Sequence, residues 1–299
     1  MLRPIRVGVL ALTALALTAS PALAGKQARG TTGDDIINGK ARADFIMSLG
    51  GRDNVRAMSG DDKVYAGNGN DTVFGDDGND WITAQPGNDW IDGGAGNDKI
   101  DGGSGDDQVF GSDGDDILSA NTGNDVVTGA AGNDVLGGND GNDRLLGGDG
   151  TDKHIGGAGD DWIDGGPGDD GAIQGGPGND VLIDGEGHDW LVKGDEGDDS
   201  VFLGPGADKV FSEQGSDTIY VLADGFVDKI RCDDGTQENG SADRVYFVGW
   251  RDPLDVVDPF GSCEIVEIIT YLPVNWPYGP VTLPDGVVTL RTAGTDRLR

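Results

Sequence analysis

GGAGNDKID at residues 93–101 and GGAGDDWID at residues 156–164 hold Gly, Asp and an aliphatic side chain at the same places, and this frame recurs along most of the chain. Aligned on Gly-x-Asp, an Asp falls every nine residues from Asp35 to Asp170, sixteen times without a miss. One added residue moves the phase to Asp180 and Asp189, and another moves it to Asp199, Asp208 and Asp217. Gly stands two before each Asp except Asp44, where Arg42 takes the place. Ile, Val or Leu stands two after each Asp, the departures being His154 and Ala172. A flexible glycine linker would have no reason to keep Asp and an aliphatic residue in phase over twenty-one units.

The composition fits this frame. Of 299 residues, 55 are Gly, and 48 Asp with 6 Glu face 21 Lys and Arg, giving a net charge of −33. With 36% hydrophobic residues and a mean hydropathy of −0.35, composition alone suggests a disordered polyanion. Such a surface repels phosphate backbones and anionic lipid, so nucleic acid and membranes are poor partners and multivalent cations good ones. Two His and two Cys exclude Cys/His zinc sites. Neither H-E-x-x-H nor G-x-S-x-G occurs, so no enzyme is expected.

Within each unit, six glycine-rich residues can turn and three can extend, with the aliphatic residue facing inward and its neighbours outward. Two units make a circuit of eighteen residues, which stacks the Asp residues in two rows. One row is Asp35, Asp53, Asp71, Asp89, Asp107, Asp125, Asp143, Asp161, Asp180, Asp199 and Asp217. The other is Asp44, Asp62, Asp80, Asp98, Asp116, Asp134, Asp152, Asp170, Asp189 and Asp208. Carboxylates one turn apart are then separated by about 4.8 Å, which is repulsive unless a cation lies between them. Calcium suits the gap, being hard, tolerant in geometry and able to take backbone carbonyls; magnesium demands a tighter octahedron.

The unit matches G-G-x-G-x-D-x-U-x, and over roughly residues 30–222 the chain resembles the repeats-in-toxin, or haemolysin-type, calcium-binding nonapeptide family. The resemblance implies an all-β fold, a right-handed parallel β-roll in which each row Asp helps to hold calcium between adjacent turns. The expected ligands are the row residues other than Asp44, with up to 19 gaps in the two rows. Arg42 and Arg52 are expected to weaken or remove the sites of the first turns, and the extra residues near Asp180 and Asp199 to distort the coil. His188 is expected to be a turn residue and His154 an inward or edge-packed imidazole. Ordering about 190 residues costs far more than some twenty buried aliphatic side chains return, so calcium binding and folding are expected to be one event.

The ends differ from the repeats. Residues 1–24, with Arg3 and Arg6, an apolar run from Val7 to Leu17 and a terminal Ala-Leu-Ala, read as a secretory signal cleaved before Gly25. Residues 25–222 are then the calcium-binding roll and residues 223–299 a small β cap, where Cys232 and Cys263, the only cysteines of an exported chain, form the expected disulfide. DKIRC, DRVYFV and CEIVE look like the tail of many exported nonapeptide-repeat proteins. Many family members instead leave through an uncleaved C-terminal signal, so the N-terminal signal is a departure. The expected protein is secreted, with calcium as its partner and a structural or cell-surface role. The alternative is an adhesin or carbohydrate-binding module that presents Trp81, Trp90, Trp162 and Trp190 to cell-surface polysaccharide.

Overall fold

The computed structural model describes residues 27–222, 224–232, 243–248, 255–257, 263, 265–269, 277, 281–282 and 289–290. The expected signal, residues 1–24, and much of the C-terminal segment lie outside the described residues. Successive strands alternate between two parallel sheets of thirteen strands each. One sheet runs from Gln27–Arg29 through Lys99–Ser104 to Val256–Val257, and the other from Ile36–Ala41 through Trp90–Ala95 to Ile265–Ile269. Each strand pairs with the next but one in sequence, so that Trp90 faces Gln108 and Gln108 faces Val126. The eighteen-residue circuit is therefore a turn of a parallel β-roll, in keeping with the right-handed crossovers that join parallel strands. No helix occurs among the described residues.

The aliphatic residue two after each Asp forms the core. Ile91, Ile100, Val109, Leu118 and Val127 are at most 2% exposed and stack in two columns, Ile91, Val109 and Val127 in one sheet and Ile100 and Leu118 in the other. Many strands are longer than three residues: Trp90–Ala95 and Gln108–Asp113 each run for six, because the first three residues of the next unit stay in the ladder. This gives a second inward position, five before each Asp, filled by small residues such as Ala57, Ala66, Ala84 and Ala120, all fully buried. The residue is small because the Asp carboxylate lies against it: a Cβ on Gly93 would run into Asp98 Oδ2, and one on Gly111 into Asp116 Oδ2.

Two inward assignments change. Ala172 and Leu191 are only half-buried, while Ile173 and Val192 are the core residues and pair with each other, with His154 next to Ile173 in the same column. Gly171, whose N–H donates to the Asp152 carbonyl, and Trp190, whose N–H donates to the Asp170 carbonyl, each precede the displaced side chain. Strand side chains alternate with period two, so one residue added directly after the Asp exchanges the inward and outward faces. His154 is buried as expected, with no hydrogen-bond partner at either ring nitrogen, and burial lowers its pKa to about 4.

Past residue 222 the nine-residue spacing ends but the sheets do not. Lys229–Arg231, Arg244–Val248, Val256–Val257 and Ile265–Ile269 add further strands to the two sheets. The 222/223 boundary thus marks a change of spacing: these four strands extend the coil, while Val281–Thr282 and Thr289–Leu290 pair with each other in a separate antiparallel sheet. Cys232 and Cys263 are joined by the expected disulfide, with Cα atoms 5.2 Å apart.

Candidate metal centre

The turn before most row Asp residues is fixed by two residues with positive φ. Four before the Asp, ten non-glycine residues, among them Asp76, Ser112, Asn121 and Asn139, have φ between 71° and 89°, close to the left-handed region that Asn and Asp tolerate. Two before it, Gly96, Gly114 and Gly123 have φ of 132°, 133° and 144°, which side chains rarely adopt. That difference explains why the first position varies and the second is glycine at all units but one. Arg42, the exception, is not a positive-φ residue; its N–H donates to the Lys40 carbonyl at 2.7 Å instead.

The turn aims each row carboxylate into the roll. From Asp53 to Asp199, every row Asp N–H donates to Oδ1 of the Asp one turn later, at 2.7–2.9 Å, so that the acceptors run to Asp217. The ladder holds across the two insertions, where the step becomes nineteen residues, so the extra residues are absorbed elsewhere in the circuit. These Asp residues are at most 2% exposed, and their Oδ2 atoms have no hydrogen-bond partner. Among the described residues, no Lys or Arg pairs with any of them.

Buried carboxylates without a counter-charge are driven toward the neutral form. Burial raises Asp62, Asp98 and Asp116 to about 7 and Asp170 and Asp199 to about 8, against the lowering effect of the backbone N–H that each accepts; neighbouring row carboxylates add to the rise. A cation does the same service as a proton without neutralising the ligand. The donor set fits calcium: a Cβ on Gly96, Gly105 or Gly114 would run into the carbonyl oxygen of Gly78, Gly87 or Gly96, one turn earlier. At the bare oxygens, a Cβ on Gly93 would meet both Asp98 Oδ2 and the Gly111 carbonyl oxygen, and one on Gly111 both Asp116 Oδ2 and the Gly129 carbonyl oxygen, so carboxylate and backbone oxygens lie together, the all-oxygen environment that calcium takes.

The first turns differ. Asp35 Oδ2 accepts from Thr31 N–H at 2.5 Å and Thr31 Oγ1 at 3.0 Å. Asp44 Oδ2 accepts from Lys40 N–H at 2.7 Å, and Arg42 Nε stands 3.7 Å from Asp44 Oδ1. Protein donors occupy the oxygens that later turns leave bare. Arg52 is exposed, and only its N–H joins the turn, donating to Asp34 Oδ1 at 2.8 Å.

Two features were missed in the sequence. The residues just before most row Asp residues build an outer ladder running the other way: Asn97 N–H donates to Asn79 Oδ1 at 2.7 Å, and Asn142 N–H to Asn124 Oδ1 at 2.9 Å. His188 belongs to it, since its N–H donates to Asp169 Oδ1 and its Nδ1 accepts from Ala207 N–H, which makes it the turn residue expected. The repeated Asn-Asp and Asp-Asp pairs carried that signal. The inner ladder also continues through Asp228, Asp243 and Asp255, which accept from Asp208, Asp217 and Asp228 N–H at 3.0, 3.0 and 3.2 Å. Each of these has an aliphatic residue two further on, Ile230, Val245 and Val257, but no glycine two before it.

The tryptophans do not form one platform. Trp81 lies between Lys63 and Lys99, with their Nζ atoms 5.0 and 5.1 Å from its ring centre. Trp90 sits between Phe74 and Phe110, and Arg144 lies over Trp162 at 4.3 Å. Trp190 is 74% exposed.

Fold and site together define a calcium-binding parallel β-roll. Among known families, the RTX calcium-binding nonapeptide repeat (4 copies) matches residues 29–55, 47–82, 74–109, 83–118, 110–145, 119–153, 146–171, 172–192 and 191–219. The chain belongs to that family, whose repeats bind calcium, and its buried Asp ladders account for multiple calcium sites. Comparison with curated proteins found no match.

Proposed function

We propose that this is a secreted structural protein whose roll orders as calcium enters the gaps between turns, the ions being held by the row residues from Asp53 to Asp217. The observation that carries the reading is the unbroken series of buried Asp Oδ2 atoms without hydrogen-bond partners. Asp35 and Asp44 stand at the edge of the set, because Thr31, Lys40 and Arg42 serve their oxygens. Residues 25–222 carry the ions and residues 223–299 end the coil. Residues 1–24 supply export, and a cytosol poor in free calcium keeps the chain unfolded until it reaches the outside. The disulfide agrees with an oxidising destination. Retention at the cell surface gives the acidic roll its place of work.

The test is far-UV circular dichroism of the purified chain at neutral pH, in excess chelator and in millimolar calcium. The expected outcome is a mostly disordered spectrum that becomes β-rich with calcium. A spectrum indifferent to calcium overturns the reading.

A further inference from the structure

The position five before each row Asp is Gly, Ala or Ser except at two neighbours in one row: Asp184 before Asp189, and Leu203 before Asp208. These two exceptions flank the same gap. Where the position is glycine a side chain would collide with the row carboxylate, since a Cβ on Gly165 would run into Asp170 Oδ2 and one on Gly194 into Asp199 Oδ2, and the other ordinary positions hold only Ala or Ser. Asp184 places a second carboxylate in that space. It is fully buried, and its Oδ1 accepts from Gly204 N–H at 2.7 Å. One carboxylate oxygen from each of Asp184, Asp189 and Asp208 lies within 4.8 Å of the other two, the one such trio among the described residues. Asp189 and Asp208 are each 2% exposed, and their Oδ2 atoms have no hydrogen-bond partner. Leu203, also fully buried, makes its side of the gap apolar.

Oxygens around one calcium, each about 2.3–2.6 Å from the ion, lie up to about 5 Å apart, so this trio fits a single coordination shell. Ordinary gaps offer two row carboxylates; this one offers three, in a site closed to water. Calcium affinity rises with the number of charged ligands, and the gain is greatest where solvent does not screen them.

We propose that the gap between Asp189 and Asp208 is a three-carboxylate calcium site that fills before the two-carboxylate gaps and holds the coil together where the two insertions interrupt its spacing. This rests on the calcium-dependent roll proposed above and names the residue, Asp184, that sets one gap apart.

The experiment is calcium titration of the full-length chain against chelators of graded affinity, with bound ions counted by native mass spectrometry. The wild type is expected to retain one ion at about tenfold lower free calcium than the rest. Asp184→Gly restores the small residue found at the other gaps; it is expected to lose the tight ion while reaching the wild-type ion count and β-spectrum in millimolar calcium. Asp184→Asn keeps the shape without the charge and is expected to behave likewise, which decides the matter should the glycine variant fail to fold. A tight ion that survives the loss of the Asp184 charge, or a wild type that fills in a single class, overturns the Asp184 site alone. A wild type that binds no calcium overturns the proposed function as well.

Discussion

From Asp53 to Asp161 the coil closes every eighteen residues, whereas beyond Asp208 the same two sheets close with steps of 20, 26 and 27 residues. Both regions keep the Asp N–H to Asp Oδ1 ladder and the aliphatic residue two further on. They part at the position two before the Asp: glycine in the repeats, but Phe226, Ser241 and Pro253 before Asp228, Asp243 and Asp255. Pro cannot take positive φ, and Phe and Ser do so at a cost, so the repeat turn is not available to them. The comparison separates two roles. Asp-x-aliphatic builds a turn of the coil; glycine two before the Asp builds the turn that presents carbonyls to an ion. In the C-terminal region the disulfide joins two of the irregular turns, and a small second apolar cluster of Ile183, Phe202, Val248 and Ile269 packs the last strands against the repeats.

The largest expected effect is on the repeats without their ions. Among their buried row carboxyls, Asp71, Asp89, Asp143, Asp170 and Asp199 have folded-state pKa values raised from 3.8 to about 6–8, by burial first, so the ion-free coil binds more protons than the unfolded chain. The stability this confers is fully present below about pH 4 and is lost as pH rises through 6–8. In chelator, β-structure by circular dichroism should therefore be greatest near pH 4 and fall toward pH 8. With millimolar calcium the sign reverses, because ligands must shed protons to bind, so calcium uptake should weaken as pH falls below about 6. A chelated chain that gains structure as pH rises would break this account.

Next comes the disulfide, which closes a 31-residue separation. Cys232→Ser with Cys263→Ser should cost about 3–4 kcal/mol on the loop-closure model. Hydrogen exchange should speed up over 229–232 and 243–248, with the calcium count of the repeats unchanged; exchange spreading evenly into residues 72–158 would erase the distinction between the regions.

Single carboxylates sharpen it further. Asp107 borders two gaps, so Asp107→Asn, which keeps an acceptor for Asp89 N–H but loses the charge, should release about two ions, read by native mass spectrometry. Asp243→Asn should release none, and ion loss there would extend the metal-binding region past the glycine turns.

The smallest effect lies in the core column. His154→Leu replaces two unpartnered buried nitrogens with an apolar side chain and should stabilise the calcium-loaded roll by about 1–3 kcal/mol in denaturant titration. A destabilised variant would show that the imidazole has a packing role that leucine cannot fill.

The nine-residue phase of Asp and aliphatic residues determined the eighteen-residue circuit, the two rows and the inward-facing residues such as Ile91, Ile100 and Val109, because strand alternation and glycine turns are local properties. It also marked Arg42 as an irregularity, since one position in the frame had the wrong residue. Tertiary structure decided the rest. Only pairing with His154 and Val210 puts Ile173 and Val192 inside in place of Ala172 and Leu191, because a one-residue insertion leaves two possible faces and the neighbouring strands choose between them. Only the ladder links Asp217 to Asp243 across 26 residues, and only stacking brings Asp184 to Asp189 and Asp208. Sequence spacing fixes what repeats; where spacing varies, the hydrogen bonds and packing between turns fix which residues meet.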